Sequence, residues 1–315
     1  MKNPYIVRNL FGIIGLDIRW YAVIICAGIL AGLYVSTVLA KKRGYNSDMT
    51  IDLLLICIPL AIVCARIYYV IFEWDSYKSN PISALYIWEG GIAIYGAVIG
   101  SVIGAVIFHK YSKVPFGDIL DVGAVGLILG QAIGRWGNFA NQEAYGNLIT
   151  DPSLQWFPYG VYIDSVKEWH QATFFYESMW NLLVFVLLLI YFRKAKHKGN
   201  VFEMYLVLYG IGRAYIEGLR EDSLWLVPGV LRVSQILSIV LVVFGTAFLL
   251  WRHSREAKED TYTGKYALAA ADEKEENVEA EEPEEGSEED IAGTEAEKDR
   301  DKDNIEEIGE DEQDA

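Results

Sequence analysis

Asp118-Ile-Leu-Asp-Val-Gly-Ala-Val-Gly-Leu-Ile-Leu-Gly-Gln-Ala-Ile-Gly-Arg-Trp-Gly-Asn-Phe-Ala-Asn-Gln-Glu-Ala-Tyr-Gly146 is the run on which the architecture of this chain turns. Its first part, 118–134, is apolar and dotted with glycine, but short for a membrane crossing and burdened by Asp118 and Asp121. Its second part gathers Arg135, Asn138, Asn141 and Glu143 where the apolar run gives out. An arginine beside a membrane-depth helix is costly to desolvate, so it faces a partner or a wet cavity. If 118–134 crosses a bilayer, the chain has an odd number of spans and its ends lie on opposite sides. If it does not, every later loop changes side.

Working outward, segments of the roughly 17–25 apolar residues needed to cross a hydrocarbon core of about 30 Å recur along the chain. They fall at about 18–40, 50–72, 91–109, 118–134, 174–192, 201–219 and 233–251. Cations mark the cytoplasmic ends of membrane helices. Lys41-Lys42-Arg43 follows the first segment, Lys110 and Lys113 the third, Arg193-Lys194-Ala195-Lys196 the fifth, and Arg252, Arg255 and Lys258 the seventh. The alternate connections, 73–90, 135–173 and 220–232, are poorer in cations and richer in carboxylates. Counting 118–134 as a span satisfies every loop; omitting it puts Arg193 to Lys198 outside. The expected fold is therefore an all-α integral membrane protein of seven transmembrane helices, with the N-terminus outside and the C-terminus cytoplasmic. The first span carries its cations after it, the reverse of a cleavable signal peptide, and is expected to be retained.

The net charge of −16 misleads about this core. From Glu256 to Ala315 there are 26 acidic and 6 basic residues, leaving 17 acidic and 21 basic in the first 255. A segment such as 279–290 has too few apolar groups to offset its ordering entropy. We expect a catalytic transmembrane domain over 1–255 and a disordered acidic cytoplasmic tail over 256–315. Cys26, Cys57 and Cys64 sit in apolar runs with no His/Cys cluster at ligand spacing, and the four histidines are scattered, so no metal site is expected. Nothing here requires a cofactor or suits nucleic acid.

Gly96, Gly100 and Gly104 recur at every fourth position of the third span, and Gly123, Gly126, Gly130, Gly134 and Gly137 continue the pattern in the fourth. Small-residue faces let helix backbones approach closely. They predict that the third and fourth spans form the tight centre of the bundle.

Three polar groups stand out. In the first, Arg135 offers a planar fork of donors suited to phosphate. Asn138 and Asn141 suit glycerol hydroxyls, and Glu143 is placed to orient Arg135 or accept a hydroxyl. The same residues also fit a plain Arg–Glu staple for a loop. The second group, Tyr209, Arg213, Glu217 and Arg220, has offsets of four, eight and eleven, which set it on one helical stripe. Arg213 and Glu217 can pair, leaving surplus positive charge for a phosphate. The third is looser: Trp20-Tyr21, Trp88-Glu-Gly-Gly-Ile-Ala-Ile-Tyr95 and Gln171-Ala-Thr-Phe-Phe-Tyr-Glu177, whose aromatics equally suit interfacial anchors. Arg66, within the second span, is expected to pair with Glu73.

These residues resemble the prolipoprotein diacylglyceryl transferases of bacteria. The likeness runs through Gly134-Arg-x-Gly-Asn-Phe-x-Asn-x-Glu-x-x-Gly146, Trp20-Tyr21, Trp88-x-Gly-Gly, Thr173-x-x-Tyr-Glu177 and Tyr209-x-x-x-Arg-x-x-x-Glu-x-x-Arg220, in order over about 18–251. The acidic tail lies outside it. The resemblance implies an enzyme of the bacterial cytoplasmic membrane that moves the diacylglyceryl group of phosphatidylglycerol onto the lipobox cysteine of a preprolipoprotein. A thioether forms and glycerol phosphate leaves, the first step of lipoprotein maturation. It implies phosphatidylglycerol binding for Arg135, with Asn138, Asn141, Gly146, Tyr209 and Arg220 around the lipid, and catalytic roles for Glu143, Arg213, Glu217, Tyr95 and Tyr21. Many members carry His-Gly-Gly where this chain has Tyr95-Gly96-Ala97, and His-Pro where it has Gln171-Ala172. With tyrosine near pKa 10, Tyr95 is expected to orient by hydrogen bonding, and Glu143 or Glu217 to take the thiol proton. A transporter or a heptahelical receptor or scaffold is the alternative class. Transporters, however, favour internal repeats and midplane sites, whereas these polar groups crowd the outer span ends.

Overall fold

The computed structural model describes residues 4–9, 17–195, 197–220, 225–227, 231–254 and 263–268. Eight helices run through them: α1 (Trp20–Lys42), α2 (Asp48–Phe72), the single turn α3 (Trp74–Tyr77), α4 (Ile94–Ser112), α5 (Phe116–Asn141), α6 (Thr173–Phe192), α7 (Asn200–Glu217) and α8 (Val233–His253). Short antiparallel pairs, β1 (Tyr5–Val7) with β2 (Ile18–Arg19), β3 (Gly160–Ile163) with β4 (Glu168–Gln171), and β5 (Trp225–Val227) with β6 (Leu231–Arg232), occupy the connections. Among the described residues, six helices are long and apolar enough to span a bilayer: α1, α2, α4, α5, α6 and α8. Their outward residues, Leu30, Leu55, Ile67, Val98 and Val243 among them, are exposed. Such a surface is a liability in water and suits lipid. This is an integral membrane protein built from helices. The seventh expected span, α7, falls outside the six because its 18 residues carry Glu203, Arg213 and Glu217.

The opening run forms one helix and extends further than expected. α5 continues through Gly134 and Gly137 to Asn141 and stops only where Gln142 turns left-handed at φ 52°. Arg135, Asn138 and Asn141 thus project from its last two turns rather than from a loop. At the other end, Asp118 and Asp121 are fully buried and fully used. Asp118 accepts from Arg43 (2.6 Å) and the Tyr45 hydroxyl (2.7 Å) and pairs with Lys198 (3.0 Å). Asp121 pairs with Arg43 (3.0 Å) and accepts from the backbone N–H groups of Gly199 and Phe202, both at 2.9 Å. It therefore caps the N-terminus of α7 from a neighbouring helix, satisfying donors that have no partner inside α7. The two charges that weakened this span in the sequence tie three helix ends together.

The two glycine stripes, expected to lie at the tight centre of the bundle, each pack on a different helix. α4 lays Gly96, Gly100 and Gly104 against Cys64–Ala65, Leu60–Ala61 and Cys57 of α2. α5 meets α1, where a Cβ on Gly32 would stand 2.6 Å from the Gly126 carbonyl oxygen. This partnering has a simple cause. A bare stripe needs a small or yielding surface opposite, and α1 offers Gly28, Gly32 and Ser36 to α5.

Arg66 also departs from expectation. Its guanidinium has backbone oxygens rather than Glu73 for partners: Ala84 (2.7 Å), Ser83 (3.0 Å), Gly90 (2.5 Å) and Gly91 (2.8 Å). Gly90 and Gly91 adopt φ of 92° and 76°, so the chain wraps the buried cation with carbonyls. Arg66 thereby holds the 83–91 turn that leads into α4.

The chain divides into a unit over 1–275 and another over 276–315, the latter outside the described residues, as is most of the expected acidic tail. Residues 263–268, within the stretch expected to belong to the tail, are packed. Tyr266 is buried, stacks on Phe108 at 5.6 Å and donates its hydroxyl to Asp52. Burial, aided by that carboxylate, holds the hydroxyl above the usual tyrosine range, so it stays a donor. Backbone bonds from Asn46 to Tyr266 (2.8 Å), Leu268 to Gly44 (2.9 Å) and Lys265 to Ser112 (2.8 Å) clip the α1–α2 turn to the end of α4.

Candidate active site

At the end of the bundle opposite Asp118, α5, α6 and α7 bring charged side chains together. Arg135 projects from α5 and pairs with Glu177 of α6 at 2.6 Å. Arg213 of α7 donates to the same carboxylate, at 3.1 Å to Oε2, and pairs with Glu217 one turn on at 2.8 Å. Glu177 and Glu217 are almost wholly buried, with side chains 4% and 2% exposed. Unpaired, each would be costly; a buried charge is tolerated when paired and hydrogen-bonded. Tyr209, one turn before Arg213, lies near Arg135. Indole donors hold these helices in place: Trp136 Nε1 donates to Ser178 Oγ (3.1 Å), and Trp180 Nε1 to the Leu208 carbonyl (3.0 Å).

Two amides, Asn138 and Asn141, lie beside the arginines. Asn138 and Asn141 donate to Glu143 Oε1 at 3.0 and 3.4 Å, and Arg135 Nη1 lies 3.5 Å from Asn138 Oδ1. Glu143 therefore orients the two asparagines, not Arg135; the carboxylate expected to hold that arginine is Glu177 instead. Tyr21, in the first turn of α1, lies against Gly137 and feels the charges of Glu143 and Arg135. Glu143 itself is exposed.

Two expected members sit there for other reasons. α7 ends at Glu217, so Arg220 is placed by a β-bridge with Gly146 rather than by the helical stripe assumed from its spacing, and stands 4.0 Å from Glu217. Gly146 lies at a backbone crossing. Its N–H donates to the Gln171 carbonyl (2.9 Å), and its own carbonyl lies 2.9 Å from Nδ1 of buried His170. Tyr95, half-buried in the first turn of α4, has its ring 6.2 Å from Tyr68. Among the described residues, no hydrogen bond or ion pair joins Tyr95 to the arginine cluster.

Two residues escaped the sequence reading as members of the site. Glu177 was visible only inside the Thr173-x-x-Tyr-Glu177 motif; a carboxylate one turn into an apolar helix was its signal. Arg232 donates to the Glu217 carbonyl from the start of α8, an unusual cation on the side poor in cations. Among the described residues, Arg135 and Arg213 thus meet the Glu177 carboxylate, Arg213 and Arg220 approach that of Glu217, and Arg232 donates to the Glu217 carbonyl, which gathers four arginines around two buried carboxylates. Such a cluster suits a phosphate ester, whose oxygens match the planar fork of guanidinium donors.

A family model described as prolipoprotein diacylglyceryl transferase matches residues 8–251, which hold all of these side chains. The chain belongs to this family. It is 43% identical over 244 residues to the phosphatidylglycerol–prolipoprotein diacylglyceryl transferase of Clostridium novyi (strain NT), covering 76% of this chain and 93% of that one. Similar relatives with the same name come from Lysinibacillus sphaericus (44% over 243 residues, 75% and 89% covered) and Listeria welshimeri (45% over 244 residues, 75% and 86% covered). Membership sets the chain among transferases and does not favour the transporter or receptor alternatives. It ends before the 263–268 clip.

Proposed function

We propose that this protein transfers the diacylglyceryl group of phosphatidylglycerol to the lipobox cysteine thiol of a preprolipoprotein in the bacterial cytoplasmic membrane. The observation that carries the reading is the sharing of Glu177 by Arg135 and Arg213, which holds two guanidinium groups side by side for one phosphate. In the step, the cysteine sulfur bonds to the glyceryl carbon as the bond from that carbon to phosphate oxygen breaks. The thiol proton passes to a base, and glycerol phosphate departs. Charge grows on the phosphate as the bond breaks, so arginines fixed there stabilise the transition state more than the bound lipid.

Arg135 and Arg213 hold the phosphate in this reading, with Tyr209 and Arg220 flanking it. Asn138 and Asn141 meet the departing glycerol, and Gly146 keeps Arg220 in register. Glu217 is already committed to Arg213. Glu143 is exposed, bonded only to neutral amides among the described partners, and close to Tyr21, which favours it as the proton acceptor. Tyr95, its ring beside Tyr68, takes no part in the proton transfer on this reading.

The topology that suits this chemistry has seven crossings, with α7 shielded by its neighbours, the N-terminus outside and the C-terminus cytoplasmic. It is supported by Lys41, Lys42, Arg43, Lys110, Arg193, Lys194 and Lys198, all at helix ends away from the arginine cluster. The test is purified protein with phosphatidylglycerol and a lipobox peptide. Wild type should form the thioether and Arg135→Ala should not, though it inserts normally; full activity in Arg135→Ala would remove the site assignment.

A further inference from the structure

Near the ends of α1 and α6 away from the arginine cluster lies an apolar groove of about 240 Å³. Tyr34, Val38, Phe185 and Leu189 line it, and among the described residues Lys42 and Arg193 contribute its cationic side chains. Lys42 is the last residue of α1 and Arg193 caps α6, so the helices that carry Tyr21 and Glu177 at one end deliver two cations at the other. Both are exposed, and among the described residues neither makes an ion pair. Neighbouring Arg43 differs: it is largely buried and committed to Asp118 and Asp121.

We propose that this groove binds one anionic diacyl phospholipid, in the leaflet opposite the arginine cluster. An acyl chain lies between α1 and α6, and the lipid phosphate meets Lys42 and Arg193. Basic pockets between membrane helices hold anionic head groups, and cations seated above an apolar cleft satisfy both ends of such a molecule at once. A protein occupant would need polar backbone partners that this lining does not offer. A zwitterionic lipid would gain the apolar contacts but would bring its own cation toward the pair. The inference rests on the membrane placement of α1 and α6 and not on the transferase reading.

The test titrates full-length protein, delipidated in detergent, with phosphatidylglycerol or phosphatidylcholine and counts bound lipids by native mass spectrometry. Wild type is compared with Lys42→Gln/Arg193→Gln and with Val38→Trp, which fills the groove and leaves both cations. Unchanged melting temperatures mark the variants as folded, and the glutamine pair alters only exposed side chains. Each variant should lose one phosphatidylglycerol, bound roughly tenfold or more weakly than in wild type, with phosphatidylcholine binding unchanged. Arg135→Ala should keep this lipid, which separates the groove from the candidate active site. Equal phosphatidylglycerol binding in wild type and the glutamine pair, a parallel loss of both lipids, or loss only in Arg135→Ala would overturn the proposal.

Discussion

Glu177 accepts from one arginine of α5 and one of α7, so its charge does more than balance theirs: it sets the spacing between two guanidinium groups. Glu177→Gln should leave the shape nearly intact while loosening both arginines. The expected outcome is a fall in transfer of about 100-fold, the scale for losing a preorganised charge contact, with phosphatidylglycerol binding weakened less than turnover. Kinetics over a range of lipid concentrations separate the two effects. Tyr95→Phe, by contrast, removes a hydroxyl with no described bond to the cluster, and should retain transfer within a few-fold; abolition would restore Tyr95 to the chemistry. The sequence marked Arg135, Arg213 and Glu217 because charge in an apolar run is conspicuous. It misassigned the partner of Arg135, since Glu143 is close in the chain and Glu177 is close only in space.

Among the elements, α7 is the most dependent on its surroundings. Its N-terminal amides are capped by Asp121 of α5, its Glu203 pairs with Arg252 of α8 at 2.7 Å, and its far end carries Arg213 and Glu217. Asp121→Ala removes the cap and leaves Arg43 short of a buried partner. Loss of a cap costs about 1 kcal/mol, and Arg43, still held by Asp118 at 2.6 Å, loses one of its two buried carboxylate partners, which adds to that cost. A marked drop in melting temperature is therefore expected, with the remaining folded protein still active. The α3–α4 turn depends in the same way on Arg66. Arg66→Met keeps the length and removes the donors, so carbonyls of 83–91 lose their partner, and protease cleavage in that turn should rise well above wild type. Helix lengths were legible from apolar runs because a bilayer imposes a minimum length. The extension of α5 to Asn141 was not, because glycine propensity argues against helix and only packing against α1 and α6 overrides it.

At the scale of the whole molecule, a bundle with an apolar belt ends in two different charge environments. One holds the arginine–glutamate site; the other holds Arg43, Asp118, Asp121 and Lys198, clipped over by 263–268. Truncation after residue 268 removes most of the acidic tail and should leave both melting temperature and transfer unchanged. Truncation after 255 also removes Tyr266, whose burial against Phe108 is worth roughly 1.5–3 kcal/mol, and should lower the melting temperature without abolishing transfer. Equal stability of the two truncations would remove the clip from the account.

By itself the sequence determined the apolar spans, the cationic ends that follow alternate ones, the glycine stripes and the order of the polar motifs. Each of these is a property of neighbouring residues and of the solvent they face. Only the tertiary structure decided which stripe met which helix, that Glu177 and not Glu143 holds Arg135, that Arg66 is wrapped by carbonyls, and that Asp121 caps a helix not its own. Those outcomes depend on contacts between segments far apart in the chain. Each buried charge took the partner that packing left within hydrogen-bonding reach, because an unpaired charge there costs more than any local preference can offset.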